Sequence, residues 1–348
     1  MRSVAPLETA WLQKNMQSLI KLRRRDLLKK ENLRSEKEEC KNIFERVAKQ
    51  SKLEQYGRRP LYNQTTPHKA MNLLGGDWTK VKIEILVDYA KAYLAIMKNR
   101  PFYKLMYFDG FAGSGFIIND RKVDIEMTVG AARRIIEITE PRPFDSYYFV
   151  EKDPTNFKLL EENTKAQFPN RKIYAVCEDC NKKLVDLANY LRDPKNKQYR
   201  TLAYIDPCGM QVEWRSIEIL RGLPIDMWVL VPTGLGVNRL LKKNGQISDA
   251  WLERLEIFLG MTREEIEKHF YKKTESLFPD MIFIRKEEDA VEKSAKLYRN
   301  RLNEVFVFVS KPYALKNSTN STMYHLFLTS NNETAVKIGN DIVKKFTK

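Results

Sequence analysis

Through its middle the chain alternates short apolar runs with longer stretches in which apolar positions recur every three or four residues. From Trp78 to Met97, Val81, Ile85, Leu86, Tyr89, Tyr93 and Ile96 fall on one side, which predicts a helix packed on a sheet. The runs Leu105–Phe108, Ser146–Val150, Lys172–Val176, Thr201–Ile205 and Asp226–Val231 predict strands. Helical spacing separates them at Gly130–Ile138, Thr155–Phe168, Leu184–Leu191 and Ile217–Arg221, with Pro154 suited to a first helical turn. Strands alternating with helices predict an α/β fold, a mostly parallel sheet with both faces covered. Residues 239–303 read as helix-rich and charged. Val305–Val309 and Met323–Thr329 flank KPYALKNSTNS as a hairpin-like pair, and Glu333–Phe346 closes the chain as a helix. Upstream, residues 7–55 read as helix, and the stretch from Gly57 to Pro67 as a linker. The expected division is therefore a basic helical extension (1–62), a cofactor-binding core (63–238), a helical insertion (239–303) and a closing strand pair with a C-terminal helix (304–348).

The first expected strand ends at Asp109 and runs into Gly110, Gly113 and Gly115. Such a turn lets backbone approach a ligand closely. Its spacing is G-x-x-G-x-G and not the dinucleotide pattern G-x-G-x-x-G. A tight strand-to-helix turn without a ligand would look the same, and the downstream strands separate the two cases. Four consecutive strands end in acid-bearing turns, at Asp109, Glu151, Asp179 and Asp206. In an open parallel sheet, ligands bind outside the carboxyl ends of the strands. Acids gathered there suit hydroxyl and amine donors and are ill suited to a pyrophosphate, which needs N–H groups and cations. A carboxylate after the second strand suits ribose hydroxyls, and one after the third suits an adenine amine. This pattern suits a positively charged nucleoside, S-adenosylmethionine. Five parallel strands followed by a strand pair is also the architecture of Rossmann-like class I methyltransferases.

Charge changes the picture of the partners. The chain carries a net +16, and residues 1–60 hold 16 Lys and Arg against 8 Asp and Glu, half of the excess. A polyanion, nucleic acid first, is the partner such charge favours. Lys21, Arg23, Arg24, Arg25, Lys29 and Lys30 form the densest basic cluster, which reads equally as a nucleic-acid contact or as a solvated helix face. No apolar run reaches membrane-spanning length and the first residues lack a signal-peptide core, so the expected location is cytoplasmic, without a membrane partner. Cys40, Cys177, Cys180 and Cys208 form no secreted disulfide framework. With His68, His269 and His325 scattered, no metal site is expected.

FDGFAGSG followed by YYFVEKDPTNFKLLEEN resembles the cofactor half of methyltransferases acting on exocyclic amines of nucleic-acid bases. Over residues 65–346 the chain resembles the three-Cys-motif partner family (TcmP). This second resemblance is carried by YFDGFAGSG, FVEKD, EDCN, YIDPCGM, VPTGLGVNR and YRNRL…STMYHLFLTSNNETAVKIGNDI. It implies a methyltransferase-like protein associated with a radical-SAM-type partner bearing a cysteine motif, and leaves the substrate open. The implied cofactor residues are Asp109, Gly110, Ala112, Gly113 and Gly115 around the methionine end, Glu151 at the ribose and Asp179 at the adenine.

Asp206-Pro207-Cys208-Gly209 is the expected acceptor turn. Amine methyltransferases place D/N-P-P-Y/F there: the acid or amide and the proline carbonyl accept from the target amine, and the aromatic stacks on a flipped base. Asp206 and Pro207 fit, but Cys208 and Gly209 leave the ring missing. Trp214 and Trp228 are the candidates to replace it. Cys208 also admits a nucleophilic reading, since RNA 5-methylcytosine enzymes carry D-x-P-C, although the spacing differs by one residue and Asp206 would hold the thiol protonated. Two functions fit these residues: an S-adenosylmethionine-dependent methyltransferase acting on nucleic acid, or a non-catalytic or partner-dependent binding protein with the same pocket. No D…E-x-K or H-N-H cluster supports a nuclease.

Overall fold

The computed structural model describes residues 77–115, 130–242, 245–275 and 282–347. The chain divides into two units, Met1–Leu74 and Gly75–Lys348. The basic cluster from Lys21 to Lys30 lies outside the described residues; the sheet and its crevice belong to the second unit.

Helix α1 (Asp77–Lys98) leads into β1 (Lys104–Asp109). The alternation then runs α2 (Ala131–Ile136), β2 (Ser146–Glu151), α3 (Pro154–Gln167), β3 (Ile173–Cys177) and α4 (Cys180–Arg192). It continues through β4 (Tyr199–Ile205), α5 (Trp214–Glu218) and β5 (Ile225–Val231). Next come α6 (Asp249–Leu259), α7 (Arg263–Phe270), the strands β6 (Tyr271–Glu275) and β7 (Ile282–Lys286), and α8 (Ala290–Val305). The chain ends with β8 (Phe308–Val309), β9 (Tyr313–Lys316), β10 (Thr322–Ser330) and α9 (Glu333–Lys344).

The main sheet has the order β3-β2-β1-β4-β5-β10-β8, with β9 paired to β10. Strands β1 to β5 are parallel and β10 runs antiparallel between β5 and β8. The chain therefore starts at the centre of the sheet, builds outward through β2 and β3, and returns to β4 on the other side of β1. That reversal opens a crevice at the carboxyl ends of β1 and β4, where ligands of such sheets bind. This is the Rossmann-like class I methyltransferase arrangement expected from the alternation.

Side chains alternate across the strands, so each face has its own core. Leu105, Tyr107, Tyr147, Leu202, Tyr204 and Trp228 bury against α1, α2, α3 and α9. Phe108, Val150, Ala203, Ile205, Met227 and Val229 bury against α4 to α8. Helix α1 packs through Ile85, Leu86 and Tyr89, close to the expected face.

Three expectations need correction. Residues 239–303, read as helix-rich, also contain the separate antiparallel pair β6–β7, which was not expected. Val305 belongs to the last turn of α8, and only Phe308–Val309 of the run VFVFV is strand, because Val305 is buried on the apolar stripe of α8 with Tyr298 and Leu302. The expected hairpin is three strands, since β9 lies inside the segment taken as its loop and pairs with the first half of β10.

Candidate functional site

Asp109 is the last residue of β1, opposite Phe149 of β2 and Tyr204 of β4. It is 1% exposed. Its Oδ1 accepts from the Phe111 backbone N–H at 3.1 Å and its Oδ2 from the Tyr107 hydroxyl at 3.2 Å. Burial raises its pKa from 3.8 to about 7; Asp206 and Glu151 add to the rise, while the two donors oppose it. The carboxylate is held away from water beside other acids, an environment that favours an arriving cation.

The turn after Asp109 is built for close approach. A Cβ on Gly110 would stand 2.5 Å from Cys180 Sγ and 2.9 Å from Ile205 Cδ1. Gly113 and Gly115 take φ of +62° and +72°, which side chains with a Cβ rarely adopt. Ala112 N–H donates to the Val150 carbonyl at 3.0 Å, tying this turn to the end of β2.

Glu151 ends β2 beside Cys177 of β3. Its Oε1 accepts from the Asp153 N–H at 2.7 Å, and its Oε2 has no partner among the described residues. Asp153 caps α3 by accepting from Thr155 and Asn156. Asp179 caps α4: its Oδ1 accepts from the Asn181 N–H at 2.9 Å and Nδ2 at 3.0 Å, while Oδ2 pairs with Lys152 Nζ at 2.8 Å. Burial pulls its pKa up, but the Lys152 and Asn181 contacts prevail and hold it below the usual value. Asn181 also donates to the Gln211 carbonyl and accepts from the Glu213 N–H, joining the turns after β3 and β4.

Asp206 follows β4. Its Oδ2 receives Lys82 Nζ of α1 at 2.5 Å and the Tyr204 hydroxyl at 3.0 Å, while Oδ1 has no partner among the described residues. The two charged side chains are 10% and 18% exposed. Lys82 Nζ also lies 5.1 Å from the Trp78 ring centre, and Trp78 packs on Tyr324 at 5.2 Å. Pro207 is buried and Cys208 exposed, its N–H donating to Gln211 Oε1 at 3.1 Å. The second wall comes from the turn after β5, where Gly236 lies against Met210 and Pro232, and Gly234 against the Thr322 backbone. Within it Thr233 Oγ1 meets Nδ1 of buried His325 at 2.8 Å, and burial lowers the pKa of His325 to about 4.

The fold thus gathers Asp109, Glu151, Asp179, Asp206 and the glycine turn at one edge of the sheet. Trp214 and Trp228 are not there. Trp214 is buried beside Tyr298 and Arg301, and Trp228 beside Tyr89, because both rings fill the core layers that flank the sheet. Sequence reading missed Lys82, which looks like any lysine on an amphipathic helix. It also missed Tyr107 and Tyr204, whose signal was present: YFD ending β1 and YID at the exit of β4 repeat a tyrosine two residues before the acid. A groove of about 580 Å³ along Tyr148, Phe168 and Tyr174, outside β3, contains none of these acids. Among the described residues no group of acids, histidines and cysteines could hold a metal ion, and no helix is long and apolar enough to cross a membrane.

No family model and no curated protein matches the chain. Solved structures do. Protein LPL1258 from Legionella pneumophila is 17% identical over 75% of this chain and 99% of its own, with a TM-score of 0.37. Trm1 from Pyrococcus horikoshii, solved with S-adenosyl-L-methionine, is 11% identical over 80% of this chain and 74% of its own, at 0.34. Spermidine synthase from Thermotoga maritima is 11% identical over 80% and 68%, at 0.35. At these scores the likenesses carry no weight for chemistry. By its strand order, the chain has a Rossmann-like class I methyltransferase fold.

Proposed function

We propose that the protein is an S-adenosylmethionine-dependent methyltransferase acting on nucleic acid, with an exocyclic base amine as acceptor. One observation carries this reading: strand-end acids converge beside the glycine turn, and Glu151 Oε2 and Asp206 Oδ1 have no hydrogen-bond partner among the described residues. When bound, the cofactor supplies an electrophilic methyl group on a sulfonium. Asp109 and the turn Gly110–Gly115 hold its methionine end, Glu151 its ribose and Asp179 its adenine side. Asp206 Oδ1 accepts from the acceptor amine, and the Pro207 carbonyl offers a second acceptor. Orientation is the main catalytic contribution. Cys208 needs no covalent role. The basic segment from Lys21 to Lys30 suits phosphate contacts.

A second reading has its own support. Lys82 already occupies Asp206 Oδ2, and no ring follows Pro207. A member of the three-Cys-motif partner family would then need its radical-SAM-type partner before the acceptor turn became competent.

Two measurements test the reading. Wild type should bind S-adenosylhomocysteine in calorimetry, and Glu151→Ala should weaken binding about tenfold, about 1.4 kcal/mol, through loss of charge-assisted ribose bonds. Labelled methyl should pass to cellular RNA or DNA and stop with Asp206→Ala, while Cys208→Ser retains most of the transfer. No binding at millimolar ligand rejects the methyltransferase reading. Binding with transfer only in the presence of a three-Cys-motif partner selects the second.

A further inference from the structure

We infer that Lys82 holds the carboxylate of the cofactor's amino-acid tail, and so determines which adenosyl thioethers and sulfoniums the site accepts. The inference rests on the methyltransferase reading above and adds a residue and a selectivity to it.

An amino-acid tail brings two opposite charges to the crevice. Asp109, Glu151, Asp179 and Asp206 suit its ammonium and repel its carboxylate. Among the described residues two lysines touch these acids. Lys152 is half exposed and lies on Asp179, at the adenine side. Lys82 is nine-tenths buried and lies on Asp206. Its ammonium has three donors, and one reaches Asp206 Oδ2; the other two have no partner among the described residues. A buried ammonium is costly unless each of its donors finds an acceptor, and a ligand carboxylate would supply one.

Its placement fits a tail carboxylate. Asp109 and Asp206 follow neighbouring parallel strands, and their tyrosine partners Tyr107 and Tyr204 lie in the same core layer as α1. Asp206 lies close enough to Asp109 for its charge to raise the Asp109 pKa. Lys82 therefore stands on the Asp109 side of the crevice, steadied against the Trp78 ring. Asp109 takes the ammonium and Lys82 the carboxylate, a two-point reading of the tail that a nucleoside lacking the acid cannot satisfy. Asp206 stays bridged to Lys82 through Oδ2, which leaves Oδ1 for the acceptor.

The test compares two probes that differ only in that carboxylate: S-adenosylhomocysteine and its decarboxylated analogue S-adenosyl-3-thiopropylamine. Calorimetry should show wild type preferring the carboxylated ligand by about tenfold or more, from one charge-assisted contact. Lys82→Met should abolish the preference, and Lys82→Arg should keep part of it. Because Lys82→Met strands a buried carboxylate, the double change Lys82→Met with Asp206→Asn is measured beside it, with thermal unfolding to show that it folds. A folded double variant that keeps the wild-type preference, or that weakens both ligands equally, overturns the inference and leaves the methyltransferase reading standing. A wild type that binds neither ligand defeats both.

Discussion

Asp109 is buried where a carboxylate is expensive, and the expense is measurable as pH dependence. Its pKa is about 7 in the folded chain against an ordinary 3.8. Between these values the folded chain keeps a proton that the unfolded chain has released. Its contribution is therefore fully present below pH 4, falls as pH rises, and is lost above about 7. His325, lowered to about 4, runs the opposite way, so the raw curve mixes both. Asp109→Asn cannot ionise. The stability difference, variant minus wild type, should therefore grow between pH 4.5 and 7.5 in urea titrations; a constant difference would place the Asp109 pKa outside this window. The single residues also show the limit of reading a sequence. Strand-end acids announce themselves through their position after an apolar run. Lys82 does not, because a helical lysine is buried or solvated according to what the helix packs on, and only the sheet edge decides that.

The glycine turn separates two physical uses of one residue type. Gly110 is needed for space, since a methyl there meets Cys180 and Ile205, whereas Gly113 has nothing within 4 Å among the described residues and is needed for its φ of +62°. Gly110→Ala should destabilise by about 1–3 kcal/mol through overpacking. Relief by a simultaneous Cys180→Ala, seen as recovered melting temperature, would identify the clash. Gly113→Ala should cost about 1–2 kcal/mol through backbone strain, and Cys180→Ala should not relieve it. Equal rescue of both variants would refute the distinction. At this scale the sequence was informative where periodicity is long or strands are buried on both faces: α1 and β1 to β5 lie close to their expected bounds. It failed where a single element changes character. In Val305–Val309 the apolar run serves a helix end and then an edge strand, and in residues 271–286 the apolar run Met281–Ile284 is as long as Leu105–Phe108 but its partner Tyr271–Glu275 is mostly polar, so the pair went unread.

Across the whole molecule, β10 lies between β5 and β8, and its first residues pack on Gly234 of the turn after β5. In chain order β5 ends at Val231 and β10 begins at Thr322. A ribosome making this protein thus releases β5 with one long flank bare, Met227 to Val231 waiting for Thr329 to His325 while residues 232–321 are added. An apolar strand flank left open for that time invites pairing with a neighbouring chain. Chains stopped before Thr322 should therefore collect in the insoluble fraction, and a chaperone that masks extended segments should raise their soluble yield; equal solubility of stopped and full chains would show that the flank is shielded by other means. The crevice inherits this schedule. The wall after β5 is closed by the last strand to be made, so no intermediate length of this chain can carry a finished ligand pocket out of the exit tunnel.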